Sequence, residues 1–122
     1  MSSTFDWKKS LINSISESMP EIDCLIIINS IGGVMEHKIA ENHKNEADYK
    51  VLEKMARKVS LRFKIVEFDD DFGGLSMTIN ILKRNTMIVK SLTSEYTLIL
   101  LFPKGVSIDK TMKLLSDTKM DY

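Results

Sequence analysis

The chain has 122 residues, a length that suits one compact domain burying roughly 65–70% of its unfolded surface without help from a disulfide or a metal. Its 17 basic residues balance 17 acidic ones, and no basic run is visible, which argues against a nucleic-acid binder. Cys24 is the one cysteine; it excludes an intramolecular disulfide, reads as a small core hydrophobe, and fits a reducing compartment.

The opening "MSSTFDWKKSLINS" lacks the apolar core of a signal peptide. No apolar run approaches the roughly 20 residues that span a bilayer. A cytoplasmic protein without direct membrane insertion is expected. Ser3 with Asp6 three residues on has the form of a capping box, with Asp replacing the usual Glu. Trp7, Leu11, Ile15 and Met19 then recur at steps of four, with Ile12 widening the stripe, and predict an amphipathic helix. Pro20 closes it.

Residues 24–28, "CLIII", are apolar in both alternating sets, so a strand here must be covered on both faces. Residues 29–33 supply turn chemistry with Gly32 and Gly33. Residues 34–39, "VMEHKI", mix Met35 and Ile39 with Glu36, His37 and Lys38, the pattern of a strand at an edge.

The longest periodic segment runs from 45 to 68, with Asn45 as cap and Asp48 in its first turn. Leu52, Met55, Ala56, Val59, Phe63 and Val66 form one helical stripe. Val51, Leu61, Ile65, Phe68 and Phe72 form another. One stripe can pack on a sheet; two imply a second apolar neighbour. The alternation in "LRFKIVEF" supports a competing reading in which the helix stops near Ser60.

After the turn-rich "DDDFGG", Leu75, Met77, Ile79 and Ile81 alternate with polar residues and predict a half-covered strand. Lys83, Arg84 and Asn85 turn the chain into a strand at 87–92. "YTLILLF", 96–102, is apolar on both faces and stops at Pro103. Ser107 caps a short last helix bearing Met112, Leu114 and Leu115. The two doubly apolar strands belong in the middle of the sheet with helices on both faces. The expected fold is therefore α+β: a three-layer α/β/α sandwich, topology α-β-β-α-β-β-β-α, whose five-stranded antiparallel sheet has the order 2-1-5-4-3.

This element order, with "SMPEIDCLIIINSIGGVM" as its entry and "INILKRNTMIVKSLTSEYTLILLF" as its closing meander, resembles the roadblock family of the dynein light-chain type across residues 1–122. The long "EFDDDFGG" connection departs from that family's pattern. The resemblance implies a non-catalytic regulatory or scaffold protein that dimerises with itself or with a paralogous roadblock protein by pairing long helices and edge strands. It also implies a partner among small Ras-like GTPases or multi-subunit assemblies, and bacterial members of the family stimulate GTP hydrolysis by a polarity GTPase. An alternating edge strand and an uncovered apolar stripe point to dimerisation independently. The interface is expected to use Leu52, Met55, Ala56, Val59 and Phe63 on the helix, with Met77, Ile79 and Ile81 on the edge strand. If GTP hydrolysis is stimulated, an arginine finger in trans or repositioning of the GTPase's own residues would serve. Arg57, Arg62 and Arg84 are the only arginines for such a contact, each reading first as a solvated charge.

Other motifs carry little. Asp71-Phe72-Gly73 lacks the companion motifs of a kinase, and Asp69, Asp70 and Asp71 lack calcium-loop spacing. His37 and His43 have no ligand set around them, and neither a Walker A nor a nucleophile-elbow sequence occurs. No catalytic residue, metal or cofactor is implied, and an enzyme is not expected. The alternative is a small-molecule sensor domain with a cavity against the sheet, which would require convergent buried polar groups where the apolar pattern shows no sign of any.

Overall fold

The structure, a computed structural model, describes residues 6–40, 49–65, 77–105 and 107–117. Eight elements follow in the order α1 (Trp7–Ser18), β1 (Cys24–Asn29), β2 (Val34–Ile39), α2 (Tyr49–Ile65), β3 (Met77–Ile81), β4 (Asn85–Ser91), β5 (Tyr96–Pro103) and α3 (Ile108–Asp117). The strands form one antiparallel sheet of order β2-β1-β5-β4-β3. Fold class, topology and strand order are those expected from the sequence.

Alternation along β1 divides the core in two. Leu25 and Ile27 face a layer with Leu11, Ile12 and Ile15 of α1 and Leu115 of α3. Cys24, Ile26 and Ile28 face Leu52, Ala56 and Val59 of α2. β5 divides likewise, Leu98, Leu100 and Phe102 to the first layer and Ile99 to the second. Both strands are central, which is why both alternating sets are apolar.

The helix ends differ in detail from expectation. Asp6 itself is the N-cap of α1, its carboxylate accepting from the Lys9 backbone N–H at 3.4 Å; the expected box partner Ser3 lies outside the described residues. An Asp this close to the first turn suits the cap because its oxygen reaches a donor that has no helical partner. Met19 closes the helix before Pro20. α2 passes Ser60 and continues to Ile65, which overturns the reading that ended it near Ser60. The apparent alternation of Leu61, Phe63 and Ile65 is outweighed by a helix already nucleated and free of Gly and Pro. The expected cap at Asn45 and Asp48, the far end at Val66 and Phe68, and Leu75 and Phe72 lie outside the described residues. Asn85 opens β4 instead of completing the turn, and Pro103 still belongs to β5, opposite Asn85.

The β1–β2 hairpin is built around Asn29. Its Oδ1 accepts from the backbone N–H of Gly33 at 2.7 Å and of Ile31 at 3.1 Å, an Asx-type turn. Gly32 has φ +84°, and a Cβ there would stand 2.9 Å from the Cα of Arg57. The hairpin tip thus rests on the backbone of α2, and the Ser60 hydroxyl donates to the Ser30 carbonyl at 3.1 Å to hold it. Just beyond, the register shifts between Ile27 and Ile28, leaving Met35 without a cross-strand position. This bulge turns Val34 and Ile39, five positions apart, to the same α2 side. Met35 is exposed, whereas Met55 and Met87 pack against the α2-side core.

Gly32→Ala meets both a left-handed backbone and helix backbone atoms that cannot rotate away. It is expected to destabilise by about 2–4 kcal/mol, against about 1 kcal/mol for an alanine at Gly105, where only the backbone conformation is at stake. Gly105 has φ +95° and no neighbour within 4 Å of a Cβ. Urea denaturation of the two variants measures the difference; equal costs would show that the tip does not bear on α2.

Candidate interaction surfaces

The sheet has two unlike edges. β2 carries the bulge at Met35 and the charged Glu36 and Lys38, devices that discourage another strand from adding on. β3 has no charge and no bulge: Met77, Thr78, Ile79, Asn80 and Ile81 pair in regular register with β4. Opposite Ile88, Ile79 lies on the α1/α3 side, and Met77 and Ile81 share that side by alternation. Met77 packs against the core, but Ile81 is 75% exposed and Ile79 and Leu82 are exposed beside it. On the α2 side, Asn80 donates to the Met87 carbonyl at 3.3 Å and to the Thr78 hydroxyl at 3.2 Å. The rim is apolar on one face and polar on the other.

The expected interface residues on α2 require correction. Leu52 and Ala56 are 2% and 0% exposed and Val59 is buried; all three pack on the chain's own sheet and cannot furnish an interface. Met55 is half-buried beside them, and the Phe63 side chain lies outside the described ones. The sheet takes the stripe that is continuous at steps of three and four, as a flat surface demands. Val51 and Leu61, from the second stripe, face out with 52% and 63% exposure. The outward side of α2 also carries Lys50, Lys54, Arg57 and Lys58, all exposed. Ile31, at the hairpin tip, is exposed near Leu61, because Ser30 and Ser60 are bonded to one another. Nothing in the hydrophobic pattern pointed to Ile31, since turn residues have no periodicity to read.

Two of the three arginines are far apart. Arg57 abuts the β1–β2 tip, near the Tyr96 end of β5, and Arg84 precedes Asn85, which pairs with Pro103 at the other end. Eight residues of β5 separate those ends, roughly 20 Å at about 3.3 Å per residue. No single finger contact uses both. The Arg62 side chain lies outside the described ones.

Among the described residues, three polar side chains are buried where the pattern promised none: Asp23, Thr86 and Thr111. Asp23 accepts from the Asn85 amide at 3.0 Å, and that amide also donates to the Phe102 carbonyl at 3.1 Å, tying the starts of β1 and β4 to the end of β5. Among the described residues, no buried side-chain nitrogen or oxygen lacks a hydrogen-bond partner, and no three His, Cys, Asp or Glu side chains gather as a metal site. Among them, too, no helix is long and apolar enough to cross a membrane. His37 is exposed on β2, and His43 lies outside the described residues.

Burial first, and then the adjacent Asp23 carboxylate, push the Cys24 thiol up to about 12, against a smaller opposing effect of the Leu25 backbone N–H. The thiolate is the reactive form, so burial disfavours nucleophilic reaction of Cys24 near neutral pH. A thiol held neutral in the folded state contributes stability that is complete below its ordinary value of 9.0 and is lost as pH climbs from there toward about 12. Over that window the unfolding free energy of the parent chain should fall more steeply than that of Cys24→Ala, read from denaturation at stepped pH. Parallel curves would contradict the buried neutral thiol.

No protein-family model matches the sequence, and no curated protein matches it. Solved structures do. MglB in a tetrameric arrangement superposes with a TM-score of 0.73 at 16% identity, covering 88% of this chain and 81% of that one. The Roadblock/LC7 domain from Streptomyces avermitilis gives 0.69 at 16% identity over 93% of each chain. The gliding protein MglB from Thermus thermophilus gives 0.70 at 15% identity over 88% of this chain and 82% of that one. At such identities the likeness is one of fold, and the chain has the roadblock fold that its sequence resembles.

Proposed function

We propose that the chain is a non-catalytic dimeric platform, a regulator or scaffold that binds a small Ras-like GTPase or a multi-subunit assembly. The observation that carries this reading is the contrast between the two sheet edges. β2 is guarded by a bulge and charges, whereas β3 offers edge backbone groups beside exposed Ile79, Ile81 and Leu82. An antiparallel pair of β3 strands around a two-fold axis would join two sheets into one and cover those side chains in the same step. Because the other edge is blocked, the pairing closes at two copies. The likeness of fold assigns no partner to this chain; a GTPase follows here from the roadblock resemblance together with a surface rich in exposed cations and poor in catalytic groups.

The dimer is tested by light scattering on the purified chain at micromolar concentration. The parent should have twice the chain mass, and Ile79→Lys with Ile81→Lys should give the single-chain mass with unchanged circular dichroism. A parent that is monomeric would end the dimer reading.

The GTPase arm is tested by retaining candidate GTPases, loaded with GDP or a GTP analogue, on the immobilised chain and by following GTP hydrolysis. At saturating chain, Arg57→Ala, Arg62→Ala and Arg84→Ala should each leave stimulation within about twofold of the parent, as expected where the partner's own residues are repositioned; a finger would cost about a thousandfold. Failure of every candidate to bind would remove the GTPase from the proposal.

A further inference from the structure

The β1–β2 turn engages every polar atom of Asn29. Its backbone N–H donates to the Gly33 carbonyl at 2.9 Å, and its carbonyl accepts from the Gly32 N–H at 3.1 Å. Its Oδ1 accepts from the N–H groups of Ile31 and Gly33, which fixes the orientation of the amide, because reversing it would set donor against donor. The remaining atom, Nδ2, donates to the Met35 sulfur at 3.5 Å. Gly33 leaves room for it: a Cβ on that residue would stand 2.9 Å from Nδ2. A thioether is a weak acceptor, so the turn aims a strong donor at a poor partner. Met35 occupies the bulge, has no cross-strand position and belongs to neither core cluster. It is 42% exposed. Among the described residues, Met19 is buried and Met55, Met77, Met87 and Met112 are half-buried, which leaves Met35 the methionine most open to a reagent in water.

We propose that Met35 is a site of reversible oxidation by a peroxide, and that the Asn29 amide receives the sulfoxide oxygen. A sulfur lone pair attacks one oxygen of hydrogen peroxide and the O–O bond breaks. The proton on the transferred oxygen passes to the departing hydroxide, giving water; sulfur loses two electrons and the peroxide gains them. A methionine sulfoxide reductase reverses the change, removing the oxygen as water while two thiols become a disulfide. Rotation about the terminal Cγ–Sδ bond brings the new oxygen to Nδ2, and a sulfoxide oxygen is a far stronger acceptor than the sulfur it replaces. In a core the same oxidation inserts a polar group among apolar side chains; at Met35 it removes no core contact. The stronger bond acts at the centre of the turn, since Ile31 and Gly33 flank Gly32, the residue seated on the backbone of α2. Oxidation of Met35 therefore firms the joint between hairpin and helix. The site lies on β2, at the opposite edge of the sheet from β3, and its chemistry holds whether or not the chain dimerises.

The test treats the folded full chain at neutral pH with limiting hydrogen peroxide and follows each methionine by peptide mass spectrometry. Met35 should oxidise at least about fivefold faster than Met19, Met55, Met77, Met87 or Met112. Because Asn29 faces one of the two sulfur lone pairs, the two sulfoxide epimers should form unequally, with at least about a threefold excess, read with reductases that each accept one epimer. Asn29→Asp keeps the oxygen acceptors of the turn and removes the donor, and it should bring the epimers close to equality. Oxidation should raise the thermal midpoint of the parent by about 2–5 °C and lower that of Asn29→Asp. Met35→Leu, treated in parallel, subtracts what the other methionines contribute. Should Asn29→Asp fail to fold, the epimer excess in the folded parent against the urea-unfolded chain carries the test. Oxidation of Met35 no faster than that of the half-buried methionines, equal epimers in the folded parent, or the same midpoint shift in parent and Asn29→Asp would overturn the proposal.

Discussion

Two strands that are apolar on both faces govern this fold. β1 and β5 lie side by side, with Leu25, Ile26, Ile27 and Ile28 all at 0% exposure. Neither face of such a pair tolerates water, so helices must cover both. α1 and α3 close one side and α2 the other. Once the central pair is fixed, the hairpin places β2 on one flank and the meander places β4 and then β3 on the other. The two edges follow from this arrangement, and so do the surfaces that an assembly could use.

Contact between the β1–β2 tip and α2 joins the layers more specifically than apolar packing can. Gly32 brings backbone against backbone at Ala56 and Arg57, and Ser60 reaches the Ser30 carbonyl. Any side chain at Gly32 would lift the tip from the helix. That seat is compatible with one rotation of α2 about its own axis, the one in which Leu52, Ala56 and Val59 turn inward onto the sheet. By the same rotation, Lys54, Arg57 and Lys58 turn outward. The orientation of these cations is thus tied to contacts with residues distant from them in the sequence.

The apolar rim at β3 and the cationic side of α2 differ in their chemistry. One is uncharged, presents the backbone groups of a sheet edge and suits an identical or closely similar strand. The other is charged and exposed.

Strand order and layer number were legible in the sequence because burial on two faces writes an unbroken apolar run, as in "CLIII" and "YTLILLF", while burial on one face writes an alternation, as in "MTINI". Those patterns are local consequences of where a strand lies. The residues of α2 that would remain exposed were not legible: two apolar stripes share one helix, and the packing of Leu52, Ala56 and Val59 on the sheet, with Gly32 seated against Ala56 and Arg57, chooses between them. Nor was the exchange of Met35 for Val34 in the core, since a bulge shifts alternation without changing composition. Balanced total charge hid the basic side of α2 until the inward face of the helix, with Leu52, Ala56 and Val59, was known. The sequence by itself determined which strands are central and how the layers stack; rotation of the helix and phase of the edge strand depend on contacts between residues far apart in the chain, and those only the tertiary structure decided.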